Sequence, residues 1–307
     1  MRLGLDIGGT KTDAVAVAAS GTIVARVRLA TGWGPDAVVQ TVLDAVTAVR
    51  AEADAEGIAS VGIGIPGQIE PGSGRVEHAV NLGVERLDLV AAVAPLLGVP
   101  VRVDNDVKAA ALGAAALRAE TGSMGYLNLG TGIAAAIVSD GALWRGARGS
   151  AGEIGHLSVD PSGPRCRCGQ RGCIEAFAGG GAVASRWARP GALPIRDIFD
   201  AADAGDAAAV VLRSQIAYGV AAGIRVLVLT ADVDAVVLGG GLTGLGKRLR
   251  TEVAAQLDAS ARESAFLRSL HLAERVEMLP AGAPAAALGA ALLGAEAIDE
   301  REAVPHG

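Results

Sequence analysis

One strand-and-turn pattern occurs twice in this chain, and a repeat of that kind restricts the architecture more than any single motif does. Residues 2–7 (RLGLDI), 13–19 (DAVAVAA) and 21–30 (GTIVARVRLA) read as β-strands joined by tight turns, the first turn being Gly8-Gly9-Thr10-Lys11-Thr12. From Met124 the order returns as a strand over 124–129, the turn Gly130-Thr131-Gly132, a strand over 133–139, the Asp140-Gly141 turn and a strand over 142–144. The chain is therefore expected to hold an internal duplication of one β-rich unit. In the first turn, glycines let backbone N–H groups approach an anion, two hydroxyls add donors and Lys11 adds a point charge. Such a turn can act as a phosphate cradle or as a plain hairpin, and Asp6 just ahead of it can hold a hydrated Mg2+. Two such units facing each other bring both Gly/Thr turns around one polyphosphate.

Between and after the repeats the periodicity is largely helical. Residues 36–53 place Val39, Val42, Leu43, Val46 and Val49 at helical spacing behind Pro35-Asp36. A buried strand over 60–65 runs into Pro66-Gly67, after which Gly72-Ser73-Gly74 and Asn81 mark a long loop, a feature that is usually functional in a compact domain. A short helix over 87–97 and a strand over 99–103 follow. Asp104-Asn105-Asp106 stands where that strand meets a helix over 107–118. One polar residue suffices to cap the helix. A further acid at the carboxyl end of a strand in an α/β sheet points into the crevice where ligands bind, so a catalytic carboxylate is expected here.

Near the end, 207–229 reads as a helix, 234–238 and 275–279 as strands, and 285–298 as a helix. The first of these strands runs into Gly239-Gly240-Gly241-Leu242-Thr243-Gly244-Leu245-Gly246-Lys247. Gly239, Gly241 and Gly244 match a dinucleotide fingerprint by spacing alone, and a P-loop reading fails because Arg248 replaces the Mg2+-binding hydroxyl. A glycine turn over which an adenine ring can lie fits better.

The most chemically loaded stretch is 151–175, AGEIGHLSVDPSGPRCRCGQRGCIE, which holds all three cysteines of the chain. Cys166, Cys168 and Cys173 with His156 make three thiolates and an imidazole, the donor set that a tetrahedral Zn2+ prefers. Four protein ligands leave no open coordination position, so the metal is expected to be structural. A disulfide fits poorly, because Cys166 and Cys168 flank a single residue and an odd count leaves a thiol over. Glu153 and Glu175 stand just outside the two ends of the set. Ionised carboxylates fixed in this way can accept sugar hydroxyls, or they can be solvated loop charges.

A length of 307 residues suits two domains of ordinary size, and a net charge of −6 argues against nucleic acid as a main partner. Reduced cysteines and the acid at position 6 of MRLGLDIGG point to the cytoplasm and away from secretion. The uncharged run 278–295 is mostly alanine and glycine with Pro280 and Pro284 inside it, and its small side chains supply too little transfer energy for a membrane span.

Taken together, Asp6 to Thr12, Pro66-Gly67, Asn105-Asp106, Leu129 to Gly132, Glu153 to His156, Cys166-Cys168-Cys173 with Glu175, and Gly239 to Gly241 resemble the ROK family of sugar kinases and repressors, within the actin/hexokinase-like superfamily. The resemblance covers nearly the whole chain in the family's order. It implies an α/β fold of two RNase H-like (actin/hexokinase-type) domains flanking a cleft. Residues 1–118 would form the smaller domain and 119–284 the larger one with its zinc loop at 151–175, while a C-terminal helix over about 285–307 packs back on the first.

The same resemblance implies an ATP-dependent hexokinase, with glucose as the first expectation and mannose, N-acetylglucosamine or N-acetylmannosamine as the alternatives. Asp106 would take the proton of the 6-hydroxyl, and Asn81, Asn105, Glu153, His156 and Glu175 would hold the other hydroxyls, His156 serving both metal and sugar. Gly8, Gly9, Thr10, Lys11 and Thr12, with Gly130, Thr131 and Gly132, would hold phosphates, while Gly239, Gly240 and Gly241 face the adenosine. Mg2+ would accompany ATP. Two departures stand out: Val107-Lys108 where many glucokinase-like members have a small residue and then Asn, and Gly83-Val84 where an aromatic commonly follows the Asn-Leu pair. The family's repressors carry a winged-helix segment ahead of the phosphate turn, which here begins at residue 8, so a kinase is expected and a regulator is not. A homodimer or higher homo-oligomer, without nucleic-acid or membrane partners, completes the expectation.

Overall fold

Apolar residues dominate the first repeat, and its strands are β1 (Arg2–Ile7), β2 (Lys11–Val17) and β3 (Ile23–Ala30). β1 and β2 pair antiparallel around the first glycine turn, which sets Ile7 opposite Thr12. The coordinates are a computed structural model and describe residues 1–302 other than positions 55, 56, 119, 121, 190, 192 and 281. Helix α1 (Pro35–Glu52) turns Val38, Val42, Ala45, Val46 and Val49 inward at the spacing of one helical face. β4 (Ser60–Ile65) is buried throughout, as a strand at the centre of a covered sheet must be.

The stretch after Pro66-Gly67, expected as a long loop, is instead a small antiparallel sheet of β5 (Gln68–Ile69), β6 (Arg75–Ala79) and β7 (Val84–Asp88). Strands of two to five residues alternate too briefly to register as a period, although Val76, Ala79 and Val84 are buried along them. Helix α2 (Leu89–Leu97) therefore starts two residues later than expected, and β8 (Val101–Asn105) ends two later, leading directly into α3 (Asp106–Leu117).

The second repeat supplies β9 (Met124–Leu129), β10 (Ile133–Ser139) and β11 (Ala142–Leu143). Helices α4 (Ile174–Ala178), α5 (Gly180–Trp187), α6 (Pro194–Asp203) and α7 (Ala207–Ala231) follow, then β12 (Ala235–Gly239), α8 (Lys247–Ala261), α9 (Ala265–Ser269), β13 (Val276–Met278) and α10 (Ala285–Glu302). The two large sheets run β3-β2-β1-β4-β8 and β11-β10-β9-β12-β13, the same order twice. In each, the first strand of the repeat pairs antiparallel with the second and parallel with the later strand beside it. The duplication read from the glycine turns is thus present in the topology.

Residue contacts divide the chain into two units. The first comprises residues 1–121, 141–151 and 284–307, and the second 122–140 and 152–283. In the first unit α10 lies on β1, β4 and α3 at backbone distance: a Cβ added to Gly62 would meet the Ala290 carbonyl oxygen at 1.7 Å, and one added to Gly113 would meet that of Ala285 at 1.8 Å. The alanine and glycine of this helix are what such an approach requires. In the second unit α7 is the central core helix, with Ile216, Val220, Ile224 and Leu227 buried among Leu127, Ile174 and Val236. Among the described residues α7 is the one helix long and apolar enough to cross a membrane, and half of its most apolar window is buried by packing within the protein.

Candidate active site

In the first unit the turn between β1 and β2 is closed by the Gly8 N–H, which donates to the Lys11 carbonyl at 3.0 Å. Thr10 and Lys11 are exposed at its tip. Thr12 is not: it is fully buried, and its hydroxyl shares a 2.9 Å hydrogen bond with that of Thr31, which places it beneath the turn as a support. Gly9 packs on the short 3-10 turn Val80–Leu82, where a Cβ would lie 2.9 Å from the carbonyl oxygen of Asn81. The first glycine turn and exposed Asn81 are therefore neighbours, held so by a residue that has no side chain.

β4 lies between β1 and β8, with Gly64 in register with Asp6 on one side and Asp104 on the other. The strands run parallel, so the acids gather at their carboxyl ends, where α/β sheets bind ligands. Asp6 has its carboxyl pushed up from the ordinary 3.8 to about 7, first by burial and then by the negative charge of Asp106. Asn105 caps α3, its Oδ1 accepting from the Val107 N–H at 2.9 Å while its Nδ2 donates to the Gly67 carbonyl at 3.2 Å. Asp106, the first helical residue, also accepts from the Val107 N–H at 2.9 Å. Asp104 serves differently, pairing with Arg145, and Lys108 donates to the Gly149 carbonyl. Both contacts tie 141–151 to the start of α3, a role for Lys108 that its departure from the family pattern did not reveal.

The second unit holds the remaining candidates. The Gly130–Gly132 turn joins β9 to β10, and its Gly130 and Thr131 carbonyls accept from the Gly180 and Gly181 N–H groups that begin α5, each at 2.9 Å. Gly240, at φ 85°, crosses the end of β9, where a Cβ would meet the Leu129 carbonyl at 2.6 Å and Asn128 Oδ1 at 2.8 Å. The turns at 130–132 and 239–241 thus come together. Beside the second lies an open cavity of about 840 Å³, lined by Thr243, Gly244, Lys247, Arg250, Ala254 and Met278.

Gly152 and Gly155 lie against β10 so closely that a Cβ would stand 1.8 Å from the Ala135 carbonyl oxygen and 2.0 Å from that of Ile133. These contacts explain the two glycines of AGEIGH and hold the 3-10 turn Ile154–His156 in place, with Glu153 exposed at its head. The ligand atoms of His156, Cys166, Cys168 and Cys173 all lie within 4.8 Å of one another, with Cys168 and Cys173 sulfurs 3.6 Å apart and His156 Nδ1 3.8 Å from the Cys166 sulfur. A tetrahedral cation with metal–sulfur bonds of about 2.3 Å spaces its sulfurs about 3.7 Å apart, which the Cys168–Cys173 spacing matches. The backbone and side-chain amides of Gln170 lower the Cys168 thiol below its ordinary value, and burial raises that of Cys173.

Glu175, buried on the first turn of α4, accepts from the Ile133 N–H at 3.0 Å with one oxygen and faces Arg167 at 3.4 Å with the other. A Cβ on Gly132 would come within 2.6 Å of that carboxylate. Glu175 thus joins the metal loop to the Gly130–Gly132 turn. Arg167, between two of the cysteines, went unnoticed in the sequence because an exposed arginine carries no signal until its partner is known. Asp6, the first turn, Asn81, Asn105 and Asp106 gather in one unit, and Glu153, His156, Glu175, the thiols and the later glycine turns gather in the other.

Three similarities bear on this arrangement. A glucokinase of Halalkalibacterium halodurans is 32% identical over 285 residues, spanning 84% of this chain and 86% of its own. An N-acetylmannosamine kinase of Citrobacter koseri is 37% identical over 245 residues, spanning 78% and 82%. The crystal structure of a ROK family glucokinase from Streptomyces griseus in complex with glucose and AMPPNP matches at a TM-score of 0.76 and 29% identity, covering 96% of this chain and 99% of that one. The model of the ROK family matches residues 2–297, nearly the whole chain, and the chain belongs to that family.

Proposed function

We propose that this protein is an ATP-dependent hexokinase that transfers the γ-phosphoryl group of ATP to the 6-hydroxyl of glucose. The observation that carries this reading is the pair Asp6 and Asp106. Two carboxylates stand beside a glycine turn, one at the carboxyl end of β1 and one just past that of β8, on either side of β4, and burial together with the charge of Asp106 raises the carboxyl of Asp6 to about 7. Phosphoryl transfer asks little covalent chemistry of a protein and much positioning, charge neutralisation and one proton acceptor. Asp106 takes the proton of the 6-hydroxyl, held at its Oδ by the head of α3. Asp6 is placed to hold Mg2+ beside the Gly8–Lys11 turn, and the ion, when bound with ATP, neutralises phosphate charge. The turns at 130–132 and 239–241 take the remaining phosphates and the adenosine, for which the 840 Å³ cavity beside Gly244 has room.

Asn81, Asn105, Glu153, His156 and Glu175 are assigned to the sugar hydroxyls. Asn105 and Glu175 already spend part of their hydrogen-bonding capacity on the backbone, which fixes their orientation before sugar arrives. Zn2+ is the cation that the His156, Cys166, Cys168 and Cys173 set suits, through His156 Nδ1, so that Nε2 is left for a hydroxyl. Its role is to hold the loop. We place the protein in the cytoplasm as a homodimer. N-acetylmannosamine is the second reading, favoured by the 37% identity to the Citrobacter koseri kinase.

The test is ADP release, coupled to a reporter enzyme, with ATP, Mg2+ and a panel of glucose, mannose, fructose, N-acetylglucosamine and N-acetylmannosamine. The reading expects the highest kcat/KM with glucose. Turnover confined to an N-acetylated sugar would move the assignment to the second reading, and no turnover with any of the five would overturn both.

A further inference from the structure

Gly83 ends the turn that carries Asn81, in the left-handed conformation at φ 66°, and a Cβ built on it would lie 2.5 Å from the indole of Trp33. The indole therefore rests on bare backbone, two residues from Asn81. It is held there from both sides: the Gly34 N–H donates to the Leu82 carbonyl at 2.7 Å, and the Gly32 N–H donates to Thr41 Oγ1 at 3.0 Å. Trp33 is nevertheless 70% exposed, and Val80, on the other side of Asn81, is 76% exposed. Only three tryptophans and 3% aromatic residues occur in the whole chain. An indole fixed in place and left open beside a polar side chain that itself sits on the phosphate turn is an apolar wall awaiting a ligand with an apolar face.

A pyranose is such a ligand. Its hydroxyls form a polar rim, and the C–H groups of its ring form an apolar face that an aromatic ring covers well. We propose that Trp33 is a sugar-binding residue whose indole, with Val80, receives the C–H face of the hexose while Asn81 takes a hydroxyl. This rests on the hexokinase reading above. Gly83 is in this view glycine because the indole needs the space.

Calorimetric binding and steady-state kinetics on the full chain test the assignment with Trp33→Ala, Trp33→Phe and Gly83→Ala. Because Trp33 is largely exposed, its replacement should leave the thermal midpoint in place. Trp33→Ala is expected to weaken hexose binding and raise the sugar KM by about tenfold, with kcat and the KM for ATP little changed. Trp33→Phe should recover most of the affinity, and Gly83→Ala, which displaces the indole without removing it, should repeat the loss. Sugar affinity equal to wild type in Trp33→Ala would overturn the proposal while leaving the kinase reading intact. So would a change in molecular mass by light scattering with sugar affinity unchanged, which would assign the indole to a second copy of the chain. Failure of the wild-type protein to bind any hexose would instead overturn the reading on which the proposal rests.

Discussion

Asp6 stands opposite Asp13 in the β1–β2 ladder, yet the two carboxylates behave in opposite ways. Asp13 is held below the ordinary range by Arg26 and Arg28, and Asp6 is pushed up to about 7 by burial and by Asp106. The sign of the stability effect follows. Between about pH 4 and pH 7 the unfolded chain has released the Asp6 proton and the folded chain retains it, so the Asp6 contribution to stability falls as pH rises through that window and is level above it. In Mg2+-free buffer, Asp6→Asn is therefore expected to raise the thermal midpoint relative to wild type at pH 8 and to leave it nearly unchanged at pH 4. An equal shift at both values would show that the carboxyl is not strained by its surroundings. Asp106 has a separate test. Asp106→Asn keeps the size of the side chain and an oxygen for the Val107 N–H and removes the proton acceptor, so turnover should drop by about 10²–10⁴-fold while calorimetry still registers sugar binding. Full turnover in that variant would remove Asp106 from the chemistry.

Elements explain why some of this was readable and some was not. The metal loop and the glycine turns announce themselves, because thiols within eight residues and glycines at strand ends have few other uses. Gly132, Gly152 and Gly155 turn out to be required by contacts with Glu175 and the β10 carbonyls. The β5–β7 sheet gave no comparable sign, and neither did the short helices α4, α5 and α9, since five to eight residues span too few turns to establish a period. Arg145 and Arg167 were invisible for another reason: their partners Asp104 and Glu175 are 41 and 8 residues away, and only folding joins them. The metal loop carries its own prediction. Cys166 and Cys173 are buried, and the four donors link His156 to the start of α4, where Glu175 holds Ile133, the first residue of β10 after the Gly130–Gly132 turn. With Zn2+ bound as proposed, metal analysis should find about one ion per chain. Its removal by a chelator, or Cys168→Ser, should abolish sugar binding and increase hydrogen exchange across 153–175. Metal-free protein with normal sugar affinity and unchanged exchange would reduce the cluster to a passive set of thiols.

At the scale of the whole molecule the duplication was legible from two short turns, but the way each half is completed was not. The second unit builds its core around α7 from two segments close together in sequence, 122–140 and 152–283. The first unit cannot do so. Its sheet is formed by residue 105, but the face of β1, β4 and α3 that carries Gly4, Gly62 and Gly113 is covered by α10, which arrives some 180 residues later in the sequence. Sequence alone showed an alanine-rich helix and could not say which backbone it touched. α10 seats its own carbonyls against those glycines and buries Ala287, Leu288 and Ala291 with Val15 and Val17, so its removal leaves that face uncovered. A chain ending at Ala283 is accordingly expected to lose hydrogen-exchange protection across 2–17 and 60–65. Protection at 124–139 and 216–228, which belong to the other core, should persist. Unequal loss of this kind also means that thermal unfolding of the shortened chain will not follow a single cooperative transition. Protection retained across β1 and β4 in that variant would show that the first unit closes without α10, and that its glycines answer to some other constraint.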